Sequence, residues 1–452
     1  MLLIAILLII CNIAWSFHVT KTCINNKFNT KFSMTPPESD VSDVTGQTIS
    51  KRDKRRQLIK SPNYNRLGFK SEQEDVKNMM TDEFTSPLVA ELRENNGQIN
   101  RGDITIQLAE HYGFCWGVER AVAMAYQSRS HFPDSTIHIT NEIIHNPQVN
   151  DRLHEMEIEF IKPQKESGEK NFDNVNEGDV VILPAFGATL EEMELLDERK
   201  VQIVDTTCPW VSKVWNAVNN HIKAGKTTII HGKWAHEETV ATASFCEDYI
   251  IIKDQSEAEY VINYILNGGN KLEFLEKFKN AMSKNFDPDV HLNKVGLANQ
   301  TTMYKRETKE IGRMFEVAML QKYGPAELNN HYGEFDTICD ATQERQDAVT
   351  EMTEGVSDID FVLVVGGWDS SNTAHLKEIP EKYGVPAFHV DRAERINADN
   401  SIFHREHDGT IVKKENFLKK GPMKIGVTSG ASTPDKCMED ALERIFMIHK
   451  LL

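Results

Sequence analysis

Three cysteines in this chain stand in matching surroundings. Cys115 lies in Tyr112-Gly113-Phe114-Cys115-Trp116-Gly117-Val118, Cys208 in Val204-Asp205-Thr206-Thr207-Cys208-Pro209, and Cys339 in Asp336-Thr337-Ile338-Cys339-Asp340-Ala341. The second and third share Asp-Thr-x-Cys, with Ala-Val at one offset beyond it (Ala217-Val218 and Ala348-Val349). A cysteine at a helix start meets free N–H groups and the positive end of the helix dipole, which favour a thiolate. Three such thiolates suit an iron–sulfur cluster, which cysteine sulfur holds. A cysteine taken at random is more often a small buried apolar residue, but three in one setting point to a shared ligand role. Three thiolates leave one iron of a cubane cluster open. An open iron is a Lewis acid that can take a substrate oxygen while the cluster supplies electrons.

Polar residues gather on other turns. His236 and Glu238, in His231-Gly232-Lys233-Trp234-Ala235-His236-Glu237-Glu238, would point the same way from an extended backbone, as an acid–base or anion-recognition pair. A helix N-terminus would also use Glu there. His145, in Asn141-Glu142-Ile143-Ile144-His145-Asn146-Pro147, reads by itself as a local hydrogen-bonding residue. Gly366-Gly367-Trp368-Asp369-Ser370-Ser371-Asn372-Thr373 and Gly426-Val427-Thr428-Ser429-Gly430-Ala431-Ser432-Thr433-Pro434 put hydroxyls and an amide on glycine turns before helices. Such turns cradle anions or merely cap helices. Neither carries a Walker lysine. Asn299-Gln300-Thr301-Thr302 adds two hydroxyls.

The elements that position these turns are short apolar strands alternating with helices. Residues 104–108, 180–183, 227–230, 361–365 and 424–428 read as strands, each ended by turn residues. That alternation predicts parallel α/β sheets, with ligands beyond the strand carboxyl ends. We expect three pseudo-related α/β lobes, trefoil-like, over residues 101–207, 208–338 and 339–452, the last with a C-terminal helix. Residues 256–293 and 402–420 read as charged peripheral insertions.

At 452 residues the chain can bury one large core or several small ones. A net charge of −17 argues against general nucleic-acid binding and leaves small molecules or a protein partner. Seven scattered cysteines without a CxxC pair fit neither a disulfide framework nor a zinc ribbon. Residues 2–15 are almost wholly apolar, and residues 18–35 are basic and hydroxylated without an acid. Together, residues 1–35 read as a signal plus transit-like segment, predicting plastid import through the secretory route. Residues 36–100 read as a polar extension. Its basic run, Lys51-Arg52-Asp53-Lys54-Arg55-Arg56, reads as a solvated linker, and Asn63-Tyr64-Asn65-Arg66-Leu67-Gly68-Phe69 as a short element that docks on the core.

The motifs resemble the 4-hydroxy-3-methylbut-2-enyl diphosphate reductase family of the non-mevalonate isoprenoid route. The matches run in order from Gly113-Phe114-Cys115-x-Gly117-Val118-x-Arg120-Ala121 through Glu142-Ile143-Ile144-His145-Asn146, Asp205-Thr206-Thr207-Cys208-Pro209, His236-x-Glu238 and Gln300-Thr301-Thr302. They continue with Thr337-Ile338-Cys339-Asp340-Ala341-Thr342-Gln343-x-Arg345-Gln346, Ser370-Ser371-Asn372-Thr373 and Gly430-Ala431-Ser432. The resemblance implies three lobes around a central 4Fe–4S cluster held by Cys115, Cys208 and Cys339. It implies substrate contacts from His145, His236, Thr301, Ser370, Ser371, Asn372 and Ser432, mostly to the diphosphate. Glu238 would be the proton donor, relayed through the substrate hydroxyl and Thr301. The implied reaction is reductive loss of an allylic hydroxyl, giving isopentenyl and dimethylallyl diphosphate. Bacterial members often carry a histidine where this chain has Phe186. That residue and the Tyr64-Asn65-Arg66-x-Gly68-Phe69 extension are similar to the cyanobacterial and plastid branch, which implies ferredoxin as electron donor. A non-redox iron–sulfur hydro-lyase and a structural zinc protein are the competing readings.

Overall fold

Runs such as Val180–Leu183 and Phe361–Val365 are buried at every position, as strands covered on both faces must be. They belong to three sheets in a computed structural model that describes residues 49–164, 168–335, 337–355 and 358–452. The targeting segment expected over residues 1–35, with Cys11 and Cys23, lies outside the described residues, as does Asp336 of the third cysteine motif. Residues 50–452 form one unit.

The first sheet is parallel, in the order Tyr64–Asn65, Gln202–Asp205, Val180–Leu183, Ile137–Thr140, Ile158–Ile161. The second is parallel too: Tyr332–Glu334, Val295–Asn299, Thr227–His231, Tyr249–Ile252. The third runs Ala387–Val390, Phe361–Val365, Met423–Ser429, Ile104–Leu108, all parallel, and ends with Gln98–Arg101 antiparallel. Helices cover these sheets, giving an α/β protein of three lobes.

Each of the three cysteines stands where the chain crosses between lobes. Strand Ile104–Leu108 lies in the third sheet, but the helix after Cys115, Trp116–His131, buries Val122, Ala125 and Tyr126 against Ile139 and Ile182 of the first. Strand Gln202–Asp205 lies in the first sheet, whereas helix Pro209–Lys223 beyond Cys208 packs on strands Thr227–His231 and Val295–Asn299 of the second. Strand Tyr332–Glu334 lies in the second, and helix Asp340–Thr353 beyond Cys339 buries Ala348, Val349 and Met352 against Val362 and Val364 of the third. The expected start of the first lobe at residue 101 is therefore corrected. Residues 98–108 complete the third sheet, because Ile104–Leu108 finds its parallel partner in Met423–Ser429, and the first lobe starts at about Cys115.

Two further expectations are corrected. The basic run is not a solvated linker: it forms helix Lys51–Ile59, capped by Ser50. Lys51 donates to the carbonyls of Ser244 and Cys246, and the Arg55 guanidinium lies 4.6 Å over the Trp215 ring. Residues 256–293 are not peripheral throughout, since Val261, Ile265, Phe274, Phe278 and Phe286 are buried in the core. Their charges occupy the outer face of amphipathic segments, which hides the inner face from a composition count. Residues 402–420 do carry an edge, the exposed strand Ile411–Glu415 of a small antiparallel sheet, yet Phe417 and Leu418 are buried. Tyr64–Asn65 docks as an edge strand on Ile203–Val204. Among the described residues no helix is long and apolar enough to cross a membrane.

Candidate active site

Cys115, Cys208 and Cys339 are each the N-cap residue of a helix, with extended backbone. Their amides are anchored across lobes: Cys115 to the Ala431 carbonyl (3.0 Å), Cys208 to Ala185 (2.8 Å) and Cys339 to Thr301 (3.3 Å). All three line one cavity of about 120 Å³. Gly117 permits the approach. A Cβ there would lie 2.5 Å from the Cys208 sulfur, closer than any side chain allows. Arg345, buried, ties the arrangement together by donating to the carbonyls of Tyr112 (3.1 Å), Gly113 (2.6 Å) and Ala341 (2.8 Å).

The helix starts do not make the Cys208 and Cys339 thiols acidic by themselves. Burial pushes Cys208 up to about 12, against the Trp210 N–H, and the neighbouring Cys115 and Cys339 push it further. Burial likewise raises Cys339 to about 11. Desolvation and mutual repulsion outweigh the helix dipole. A bound cation reverses that balance, since a coordinated thiol is deprotonated outright. Three soft sulfur donors converging on one cavity suit an iron–sulfur group, and they are a poor set for a hard oxygen-loving ion.

The same cavity is lined by every other predicted site residue: His145, His236, Glu238, Thr301, Ser370, Ser371, Asn372 and Ser432. His236 caps helix Glu237–Ser244, so the extended backbone expected for His236–Glu238 is corrected. Its Nδ1 accepts the Glu238 N–H at 3.2 Å. That leaves Nε2 carrying the proton of the neutral ring, a donor for the cavity. Burial, with His145 and Lys233 nearby, holds the His236 pKa well below the ordinary value.

Glu238 is fully buried and accepts two hydrogen bonds from Thr301, N–H to Oε1 at 2.6 Å and O–H to Oε2 at 2.9 Å. Burial nonetheless dominates and raises its carboxyl to about 7. His145 is not the local structural residue its isolation implied. Its ring lies flat on Phe186, centroids 4.9 Å apart at 10°, with Glu142 and Glu237 each 3.6 Å from one nitrogen. Burial disfavours its charge, but the two carboxylates prevail and raise its pKa. Both ring nitrogens lack a hydrogen-bond partner.

Ser370 caps helix Ser371–Lys382, accepting the Thr373 N–H (3.3 Å) and O–H (2.9 Å), so its own O–H is left to donate. Ser371 Oγ and Asn372 Nδ2 are buried without partners, while Asn372 Oδ1 holds the Ala431 N–H at 2.9 Å. Ser432 donates to the His145 carbonyl at 3.2 Å. Unsatisfied donors and an imidazole whose charged form its flanking carboxylates favour, facing one space, select an anion with several acceptor oxygens.

Sequence reasoning missed the carboxylates Glu142 and Glu237 that flank His145, although the i, i+3 spacing of Glu142 pointed there. It missed the stacking role of Phe186 and the place of Trp210 in the cavity wall, for which no local signal exists.

Fold and site define a three-lobed α/β protein whose crossovers bring three thiols and an anion cradle to one central cavity. The chain belongs to the LytB protein family, whose model matches residues 106–446. It is 56% identical over 392 residues to a Picosynechococcus protein named 4-hydroxy-3-methylbut-2-enyl diphosphate reductase, covering 87% of this chain and 96% of that one. A Nostoc protein of the same name is 55% identical over 394 residues, 87% and 97% of the two chains. A Crocosphaera subtropica protein, again so named, is 57% identical over 392 residues, 87% and 96%. In fold the chain is similar to a solved diphosphate reductase from Plasmodium falciparum, with TM-score 0.53, 22% identity, and 75% and 86% of the two chains covered.

Proposed function

We propose that the chain reduces 4-hydroxy-3-methylbut-2-enyl diphosphate to isopentenyl and dimethylallyl diphosphate, the last step of the non-mevalonate isoprenoid route. The observation that carries this reading is the convergence of thiols, an acid of pKa about 7 and unsatisfied donors on one cavity. Cys115, Cys208 and Cys339 would hold a 4Fe–4S cluster, which when bound supplies electrons and one open Lewis-acidic iron for the substrate hydroxyl.

The chain's own residues bind, orient and protonate. Ser370, Ser371, Asn372, Ser432, His236 and protonated His145 donate to the diphosphate, and Ser432 turns from the His145 carbonyl to do so. Phe186 and the two flanking glutamates keep the His145 ring oriented and charged. Glu238, protonated in about half the molecules at pH 7, holds the proton the departing hydroxyl needs. When Oε2 carries it, the 2.9 Å bond to Thr301 reverses and the Thr301 O–H turns to the substrate. Burial of Glu238 beneath the cavity lining keeps bulk water from competing for that proton.

A ferredoxin-type protein is the electron donor in this reading, and the plastid is its compartment, supported by the composition of residues 1–35. A fluorescent protein fused behind residues 1–60 should then collect in plastids, and cytosolic fluorescence would rule that out. The activity test is anaerobic: iron and sulfide content, with substrate reduction by a chemical donor. Zinc without iron, or turnover without any reductant, would overturn the reading.

A further inference from the structure

The proposed reaction consumes two electrons that the diphosphate alcohol does not carry, so a reductant must approach the thiols from outside. Two tryptophans stand at that approach. Trp116 directly follows Cys115 and Trp210 stands two residues beyond Cys208, their rings meeting edge to face at 6.2 Å. Trp210 lines the central cavity, whereas Trp116 is 59% exposed. Aromatic rings left in water beside a site mark an interaction surface.

Positive charge lies beside and behind these rings, although the chain carries −17 overall. Arg120 lies one helical turn from Trp116 and donates to the carbonyls of Thr206 and Arg66. Arg66 reaches Ser212 at 3.4 Å and Asp205 at 3.0 Å. Arg55 and Arg120 also feel Asp205, so three guanidinium groups share one buried carboxylate. Lys213, exposed and three residues past Trp210, has no ion pair among the described residues. Leu67, next to Arg66, is 85% exposed. Asp340 is the exposed acid at the third helix start. Glu119 faces a separate cleft with Lys77 and Arg93.

We propose that Trp116, Trp210, Leu67, Arg66 and Lys213 form the docking surface for an acidic one-electron carrier protein. This rests on the reductase reading and adds where its reductant binds. Two reduced carriers each give up one electron; with two protons the allylic C–O bond breaks, a C–H bond forms and water leaves. A small aromatic patch flanked by Arg66 and Lys213, with Arg55 and Arg120 behind it outnumbering Asp205, fits a brief encounter steered by charge.

The test compares the wild-type holoenzyme with a Leu67→Asp, Lys213→Glu variant, using two donors: a reduced viologen and an acidic 2Fe–2S ferredoxin. The variant should raise the ferredoxin KM and the calorimetric Kd by about tenfold or more, with viologen-driven turnover and iron content unchanged. The wild-type ferredoxin KM should rise with salt as screening grows. Viologen-driven turnover with an unaltered ferredoxin KM and Kd in the variant would overturn the docking surface alone. Absence of viologen-driven turnover in the iron-replete wild type would overturn the reductase reading and this inference with it. Sedimentation showing a second copy of this chain seated over Trp116 would also overturn the proposal.

Discussion

With Glu238 as the proposed proton donor, its carboxyl would set a pH window for turnover. An ordinary glutamate, near 4.5, would be about one part in a few hundred protonated at pH 7, whereas at about 7 half the molecules hold the proton. Burial thus raises the population of the acid by roughly two orders of magnitude, the size of a general-acid contribution. Turnover driven by a chemical donor should be level below pH 7 and fall about tenfold per pH unit well above it. Glu238→Gln should keep iron and substrate affinity but lose about 100-fold or more in kcat, and its residual rate should no longer follow that profile. The same shift links to stability. A carboxyl raised in the folded state stabilises fully below its unfolded value and loses that contribution as pH rises through the folded one. Here at most about 3 kcal/mol is lost between pH 4.5 and about 7, and Glu238→Gln should flatten that part of the melting profile. Steady-state rates and thermal melts across pH, on iron-replete protein, measure both. A flat rate profile to pH 9 in the wild type, or undiminished turnover in Glu238→Gln, would refute the assignment of the acid.

Gly117→Ala puts a methyl group 2.5 Å from the Cys208 sulfur. It should cost roughly 1–3 kcal/mol of stability and most of the bound iron, as read by iron analysis on folded protein. Arg66→Ala leaves Asp205 with the Tyr64 hydroxyl at 2.9 Å, the Thr207 N–H at 3.0 Å and more distant cations. It should lower stability by roughly 1–3 kcal/mol, measured by denaturant unfolding. Phe186→Ala removes the ring on which His145 lies. The substrate KM should rise roughly three- to tenfold at little change in kcat, because a stacked pair is worth about 0.5–1.5 kcal/mol. Replacing Cys115, Cys208 or Cys339 by Ser should abolish iron binding in each case.

Much of this was legible in the residue order. Buried β-branched runs such as Val180–Leu183 specify parallel strands through local apolar pattern. Cys115, Cys208 and Cys339 each follow a strand and start a helix, which pattern and capping rules already convey. The motif set, read in order, named the family, and every site residue it implied lines the cavity, although Phe186 and Trp210 of the wall were not among them. Other features had no local signature. That Ile104–Leu108 joins the third sheet depends on its pairing with Met423–Ser429, over 300 residues away. The basic helix Lys51–Ile59 looked solvated because nothing in its sequence shows the carbonyls of Ser244 and Cys246 that its lysine meets. The thiols read as acidic from their helix starts, but only the packed interior reveals the desolvation that raises Cys208 and Cys339. Sequence alone determined which groups the chain possesses and which local element presents each one. Tertiary structure decided which of them share a space without water, because burial and long-range pairing arise from contacts between segments that the chain order keeps apart.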